Sequence, residues 1–324
     1  MIKVHCFVSC VCEVLKKNGI DHRPYYFGVW DADFFLDEND RLTYHEKNVD
    51  HSFFKNWYET LYGIRLNEWY KNTASKEENV EYLVHLIEEK DDDTHVIVML
   101  DLALLPEREN KFHHAPFPHY VMLEKTKDKD VWMMYDPDFR WEGEMEKVQI
   151  LNAVRSPDVG EGYRFNSNTI QPPSDDTIKA YFRTCMKERE NPLTETLQSL
   201  VETFWSGSQR YRLNELGLVM KQLPVLAIRK YAYEHAFAFF WKALQFSEDT
   251  FEQWCDDIET LEKGFKIVQY QAMKVAKTKK EADYEQLCDQ LERQNERERK
   301  LKEQLVFYFD EWLLQREPLI LHEG

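Results

Sequence analysis

Cys6, His119 and Asp136 are the residues of this chain whose types and spacing most directly suggest chemistry. A cysteine attacks carbonyls as its thiolate, and a free thiol ionises only near pH ~8.5, so it needs a base or a positive field beside it. An imidazole can be that base if a third group fixes its tautomer, which a carboxylate does by accepting Nδ1–H. His119 opens the apolar run His-Tyr-Val-Met-Leu-Glu, and Asp136 opens an Asp-Pro pair 17 residues later. In that order they read as nucleophile, base and orienter, and the reaction expected of them makes and breaks a thioester. Each has an ordinary reading as well. A lone cysteine at a helix start is commonly a small buried hydrophobe, and Asp-Pro commonly opens a turn.

The elements that must position these side chains are visible in the pattern of apolar residues. Residues 7–19 read as a helix that stops at Gly19, with Lys16 and Lys17 in the last turn where cations complement the dipole. Cys6 then lies at or just before the helix N-terminus, where free N–H groups and the dipole favour a thiolate. Residues 119–124 and 131–135 read as the two strands of a hairpin joined by a lysine/aspartate turn. His119 begins the first strand and Asp136 follows the second, so both fall at one edge of that hairpin. A helix over 76–89, with Val80, Leu83, Val84 and Ile87 on one stripe, and a buried strand over 95–102 complete the visible framework.

Residues 1–170 thus read as an α+β unit, helix first and antiparallel sheet after, and residues 171–324 as a helical domain. The polar stretch 166–176, which contains Pro172 and Pro173, is the expected linker. Beyond it the pattern predicts helices over 177–190, 193–206, 211–217, 218–245, 247–276 and 280–315. The last is dense in alternating charges, as in a solvated helical hairpin.

Composition narrows the function. With 42 basic and 59 acidic residues the net charge is −17, which argues against a nucleic-acid backbone as partner. Such a surface attracts cations on approach, although solubility alone is the more ordinary account of it. No apolar run approaches the ~18 residues of a membrane span, so no membrane role is expected. The first residues lack the features of a signal peptide, and six cysteines without one read as reduced thiols in a cytoplasmic protein. No metal site is expected. Cys6, Cys10 and Cys12 have no second ligand cluster, and on a helix Cys12 points away from the other two. His113 and His114, in a proline-containing loop before His119, read as an exposed rim.

The opening His5-Cys6, a helix to Gly19, and then Phe27-Gly28 resemble the start of the butirosin-biosynthesis acyltransferase family. His119-Tyr-Val-Met-Leu-Glu and Asp136-Pro137 resemble the His and Asp-Pro elements of papain-like and bacteriocin-processing cysteine peptidases. Over its whole length the chain further resembles a family of aryltransferases of siderophore biosynthesis in bacilli. Where the acyltransferase pattern continues with glycine after Phe-Gly, this chain has Val29-Trp30-Asp31.

The resemblance implies a papain-like acyltransferase domain and a reaction. A 3,4-dihydroxybenzoyl group passes from the phosphopantetheine thioester of an aryl carrier protein, through Cys6, to the polyamine spermidine. No cofactor is implied, because the phosphopantetheine belongs to the carrier. On that reading Asp31 and Asp33 are expected to hold the distal ammoniums of the polyamine, and Trp30 and Tyr120 to wall the catechol. Two other readings stay open: a cysteine peptidase or amidase using the same triad, and a non-catalytic helical scaffold in which Cys6 is buried.

Overall fold

The computed structural model describes residues 5–45, 50–106 and 116–316, and His113 and His114 lie outside them. The elements begin with α1 (Cys6–Lys17), β1 (Phe35–Leu36), β2 (Leu42–Thr43), α2 (Ser52–Tyr62), β3 (Asn67–Glu68), α3 (Lys76–Glu89) and β4 (Thr94–Asp101). β5 (Pro118–Lys125), β6 (Val131–Asp136), β7 (Trp141–Glu146), α4 (Lys147–Val154), β8 (Gly162–Asn166) and α5 (Asp175–Cys185) follow. The rest is helical: α6 (Pro192–Trp205), α7 (Leu216–Val219), α8 (Leu223–Ala227), α9 (Ala232–Leu244), α10 (Glu248–Thr278) and α11 (Glu281–Leu314). The protein is therefore α+β, an antiparallel sheet with helices followed by a helical region. Its contacts form two compact units, Met1–Tyr25 with His45–Tyr181, and Tyr26–Tyr44 with Phe182–Gly324. These units are drawn differently from the division expected at residue 170. The first unit runs on into α5, and residues 26–44 belong with the helical unit.

In the first unit six strands pair antiparallel in the order β3-β8-β4-β5-β6-β7. β4 and β5 are the buried centre, with unbroken apolar runs Val96–Leu100 and Tyr120–Leu123. β6 alternates instead: Trp132, Met134 and Asp136 are its buried positions. Asp136 continues that period of two, so strand geometry alone sends a carboxylate inward at the end of an otherwise apolar row. α1 buries Phe7, Val8, Cys10, Val11, Val14 and Leu15 and packs on β5. Gly19, at φ +71, closes it in the left-handed conformation that glycine adopts without strain. Ser75 and Glu78 form a capping box that starts α3. At Gly162 in β8 a Cβ would lie 2.2 Å from the indole of Trp69, whose Nε1–H donates to the Ile97 carbonyl at 3.0 Å. The missing side chain is what lets that tryptophan cross the strand.

In the second unit α10 and α11 form an antiparallel pair of 31 and 34 residues. Their contacts run in opposite order along the two helices: Lys274 with Asp283, Gly264 with Gln294, Lys300 with Asp257. The long helix expected over 218–245 is broken into α7, α8, a 3-10 turn at Ile228–Tyr231, and α9. Pro224 sits in the first turn of α8, where its missing N–H is tolerated.

Residues 26–44 are tied into this unit by stacking and by charge. Tyr26 stacks on His235 at 3.7 Å and Trp30 on Tyr233 at 4.7 Å. Lys230 donates to the Trp30 carbonyl (2.8 Å), to Asp31 Oδ1 (3.0 Å) and to Glu298. Lys302 donates to Asp31 Oδ2 at 2.6 Å, and Tyr233 to Glu298 at 2.9 Å. Two ammoniums and two carboxylates thus neutralise one another away from water. Among the described residues no helix is long and apolar enough to cross a membrane.

Candidate active site

Cys6 is the first residue of α1 and is half-buried, while Cys10 and Cys12, further along the same helix, are buried. The helix start is held from a distance. Asp138, in the turn after β6, accepts from the His5 N–H at 3.1 Å and from the Ser9 hydroxyl at 2.9 Å. That clamp joins the helix carrying the thiol to the turn that follows Asp136. The N–H groups of the first helical turn have no intrahelical acceptor, so they lie beside the sulfur as donors for a developing oxyanion.

His119 hydrogen-bonds Asp136 and lies close enough to Cys6 for the thiol to act on its charge, so the structure brings the three residues together. Its Nε2 lies 2.9 Å from Asp136 Oδ1. This corrects the expected tautomer. The carboxylate takes Nε2 rather than Nδ1, which leaves Nδ1 as the nitrogen that serves the sulfur. Asp136 is fully buried, and its Oδ1 also accepts the Phe139 N–H at 3.2 Å, so the orienter is itself oriented. Phe117 stacks on the imidazole (5.8 Å) and Phe139 meets it edge-on (5.1 Å), shielding it from water. Asp101 fixes the approach to β5 by accepting the Phe117 N–H at 2.9 Å.

Burial disfavours a charged imidazole, but the Asp136 carboxylate, with help from Cys6, outweighs it and holds the His119 pKa well above its ordinary value. The site therefore favours an imidazolium beside the thiol, the condition that a nucleophilic cysteine needs. Cys10 is in the opposite position: burial pushes its thiol up, and its Sγ donates weakly to the Tyr120 carbonyl at 3.7 Å.

A polar cluster adjoins the thiol. The residues on either side of Cys6 both contact His51, His5 edge-on at 6.4 Å and Phe7 stacked at 4.8 Å. The His51 Nε2 is 3.6 Å from Glu161 Oε2. Glu161 in turn accepts from the Tyr120 hydroxyl, and from that of Tyr163 at 3.1 Å. Register explains the grouping: Tyr120 pairs with Met99 across β5 and β4, and the Met99 N–H donates to the Glu161 carbonyl at 3.0 Å.

Three other sequence candidates belong to the helical unit. Trp30 is 2% exposed and stacked, which makes it core rather than a catechol wall. Both oxygens of Asp31 are taken by lysines, and these outweigh burial to keep its pKa low. It is a structural ion-pair partner, not a carboxylate open to a ligand. Asp33 is exposed, with its carbonyl accepting from Arg229 at 2.6 Å. Sequence reasoning missed Asp138, the two phenylalanines and the Glu161 cluster. Asp138 had a visible signal, the repeated aspartate of Asp-Pro-Asp; Glu161 had only its place between Gly160 and Gly162. Among the described residues no group of three His, Cys, Asp or Glu converges on a metal-sized site.

Residues 1–170 match the DUF6005 N-terminal domain, and residues 176–319 the DUF6005 C-terminal domain. The chain is also 45% identical over 312 residues to petrobactin synthase of Bacillus anthracis, covering 96% of this chain and 95% of that protein. Matched domain by domain and along nearly all its length, the chain belongs to the DUF6005 family and is a homologue of petrobactin synthase.

Proposed function

We propose that this protein is a cysteine-dependent acyltransferase of petrobactin-type siderophore synthesis. In this reading it moves a 3,4-dihydroxybenzoyl group from the phosphopantetheine thioester of an aryl carrier protein to spermidine. The observation that carries the reaction class is the junction of Cys6, His119 and Asp136 at the start of α1. The similarity to petrobactin synthase supports the pathway.

In the first half-reaction the Cys6 sulfur attacks the carrier thioester. The new S–C bond forms as the pantetheine S–C bond breaks, and the departing thiolate takes the proton from His119. The first-turn N–H groups of α1 carry the negative oxygen between. In the second half-reaction a neutral amine attacks the acyl-enzyme, His119 takes its proton, and the Cys6 sulfur leaves. Conversion of a thioester into an amide drives this step. Phe117 and Phe139 keep water from the imidazole, and so favour transfer over hydrolysis.

The test is the intact mass of the protein after incubation with the acyl-loaded carrier and no amine. A gain of one dihydroxybenzoyl group that maps to Cys6 and vanishes in Cys6→Ala is expected. No gain in the native protein, or a gain that survives Cys6→Ala, refutes the acyl-enzyme. An acyl-enzyme that releases the free acid equally fast with and without spermidine favours a hydrolase over a transferase.

A further inference from the structure

Glu161 is drawn into the fold with little to balance its charge. Its side chain is only 16% exposed, and its hydrogen-bond donors are the two neutral phenols of Tyr120 and Tyr163. His51 faces it at 3.6 Å, while the nearby Lys55 pairs at 2.6 Å with Glu68 instead. Among the described residues no lysine or arginine forms an ion pair with Glu161. Burial pushes its carboxyl pKa up even against both phenol hydrogen bonds, which is the mark of a carboxylate short of positive charge. The rings around it offer faces to a cation, and Lys55 already lies 5.4 Å from the Tyr163 centroid.

We propose that Glu161, framed by Tyr120, Tyr163 and His51, anchors a cationic nitrogen of the acyl acceptor. It would hold a di- or polyamine by the ammonium that does not react. The position suits that role, since His5 and Phe7, the neighbours of Cys6, both touch His51. The reacting nitrogen must be neutral, and a carboxylate beside it would keep it protonated. The anchored nitrogen is therefore the distal one, and the tether between the two carries the free amine to the acyl group. Asp31 offers no such anchor, because Lys230 and Lys302 occupy it. This inference rests on the acyl-enzyme reading above.

The experiment forms the acyl-enzyme from loaded carrier, quantifies it by intact mass, and then adds either putrescine or n-butylamine, which differ only by the second nitrogen. The native protein should prefer putrescine by at least about tenfold in kcat/KM, the scale of one charge-assisted hydrogen bond. Glu161→Gln should abolish that preference through KM while still forming the acyl-enzyme, and Glu161→Asp should keep part of it. Equal use of both amines by the native protein overturns the anchor without recourse to any variant. So does a putrescine preference intact in Glu161→Gln. Absence of acyl-enzyme before any amine is added overturns the acyl-enzyme reading and the anchor together; a normal acyl-enzyme without diamine preference overturns the anchor alone.

Discussion

Replacing Asp136 by asparagine should change the charge on His119 far more than it changes the shape of the site. Asparagine is nearly isosteric, and its side-chain oxygen can still accept Nε2–H, now 2.9 Å from Oδ1, and the Phe139 N–H at 3.2 Å. What disappears is the full negative charge. An adjacent opposite charge moves a pKa by about 1–3 units, and each unit is about 1.4 kcal/mol, so the imidazolium loses about 1.4–4 kcal/mol. Burial, which acts in the other direction, is then unopposed by Asp136, and His119 should titrate markedly lower than in the native protein. The stability consequence has a definite sign. A folded-state pKa above the unfolded value near ~6.5 means that protonated His119 contributes stability below that pH, lost as pH rises through the folded value. In Asp136→Asn this contribution should shrink, so acid should no longer favour the variant as it favours the native fold. NMR titration of labelled histidine, with urea unfolding at several pH values, measures both effects. A His119 titration unchanged by the substitution would refute the electrostatic account, as would an ordinary value in the native protein. Asparagine leaves the imidazole itself in place to move protons, so transfer should suffer less than in His119→Ala.

Brief labelling of the native protein with iodoacetamide at neutral pH should modify Cys6 and spare Cys10. Cys255, its thiol pushed up to about 12 by burial, should lag as well, and peptide mass mapping reads all three. Labelling of Cys10 as fast as Cys6 would mean the wrong thiol has been assigned. Lys230→Met removes one of two cations from a buried set of four charges and should cost about 3–5 kcal/mol in urea unfolding, with loss below 1 kcal/mol counting against the network. Gly162→Ala drives a Cβ to 2.2 Å from the Trp69 indole and should cost about 1–3 kcal/mol. Gly160→Ala, with 3.6 Å of room to Tyr70, is the control, and equal losses in the two would show that the contact is not the cause.

The sequence made legible whatever repeats with a period or is punctuated by special residues. α1 with its terminal glycine, α3 with its apolar stripe, and the β5–β6 hairpin fell within a residue or two of their observed limits. The order of Cys6, His119 and Asp136 was readable for the same reason, because the strands that hold the last two are strongly apolar. The ring nitrogen facing Asp136 was not, since it depends on how the His119 rotamer places the whole ring, which leaves no trace in the residue order. β3, with two residues, and β8, interrupted by an exposed arginine, are too short and mixed to signal themselves. Asp31 misled because an acidic residue among aromatics looks the same whether a ligand or a lysine 199 positions away neutralises it. Glu161 stayed silent because, Tyr163 apart, its neighbours in space are distant in the chain: His51 just before α2 and Tyr120 in β5.

The interleaving of the two units sets a timetable for synthesis. Residues 26–44 leave the ribosome early, yet their partners follow much later: Asp31 is separated from Lys230 by 199 positions and from Lys302 by 271. Until the first of those lysines emerges, the segment has no partner for its buried charge, and until the second does the charge set is incomplete. Neither unit is consequently a cassette that could be cut out at the boundary between the two matched domains and exchanged between relatives. A frameshift or a premature stop in α11 would reach back across the whole chain and leave the segment just after the nucleophile's helix without the charges that complete it.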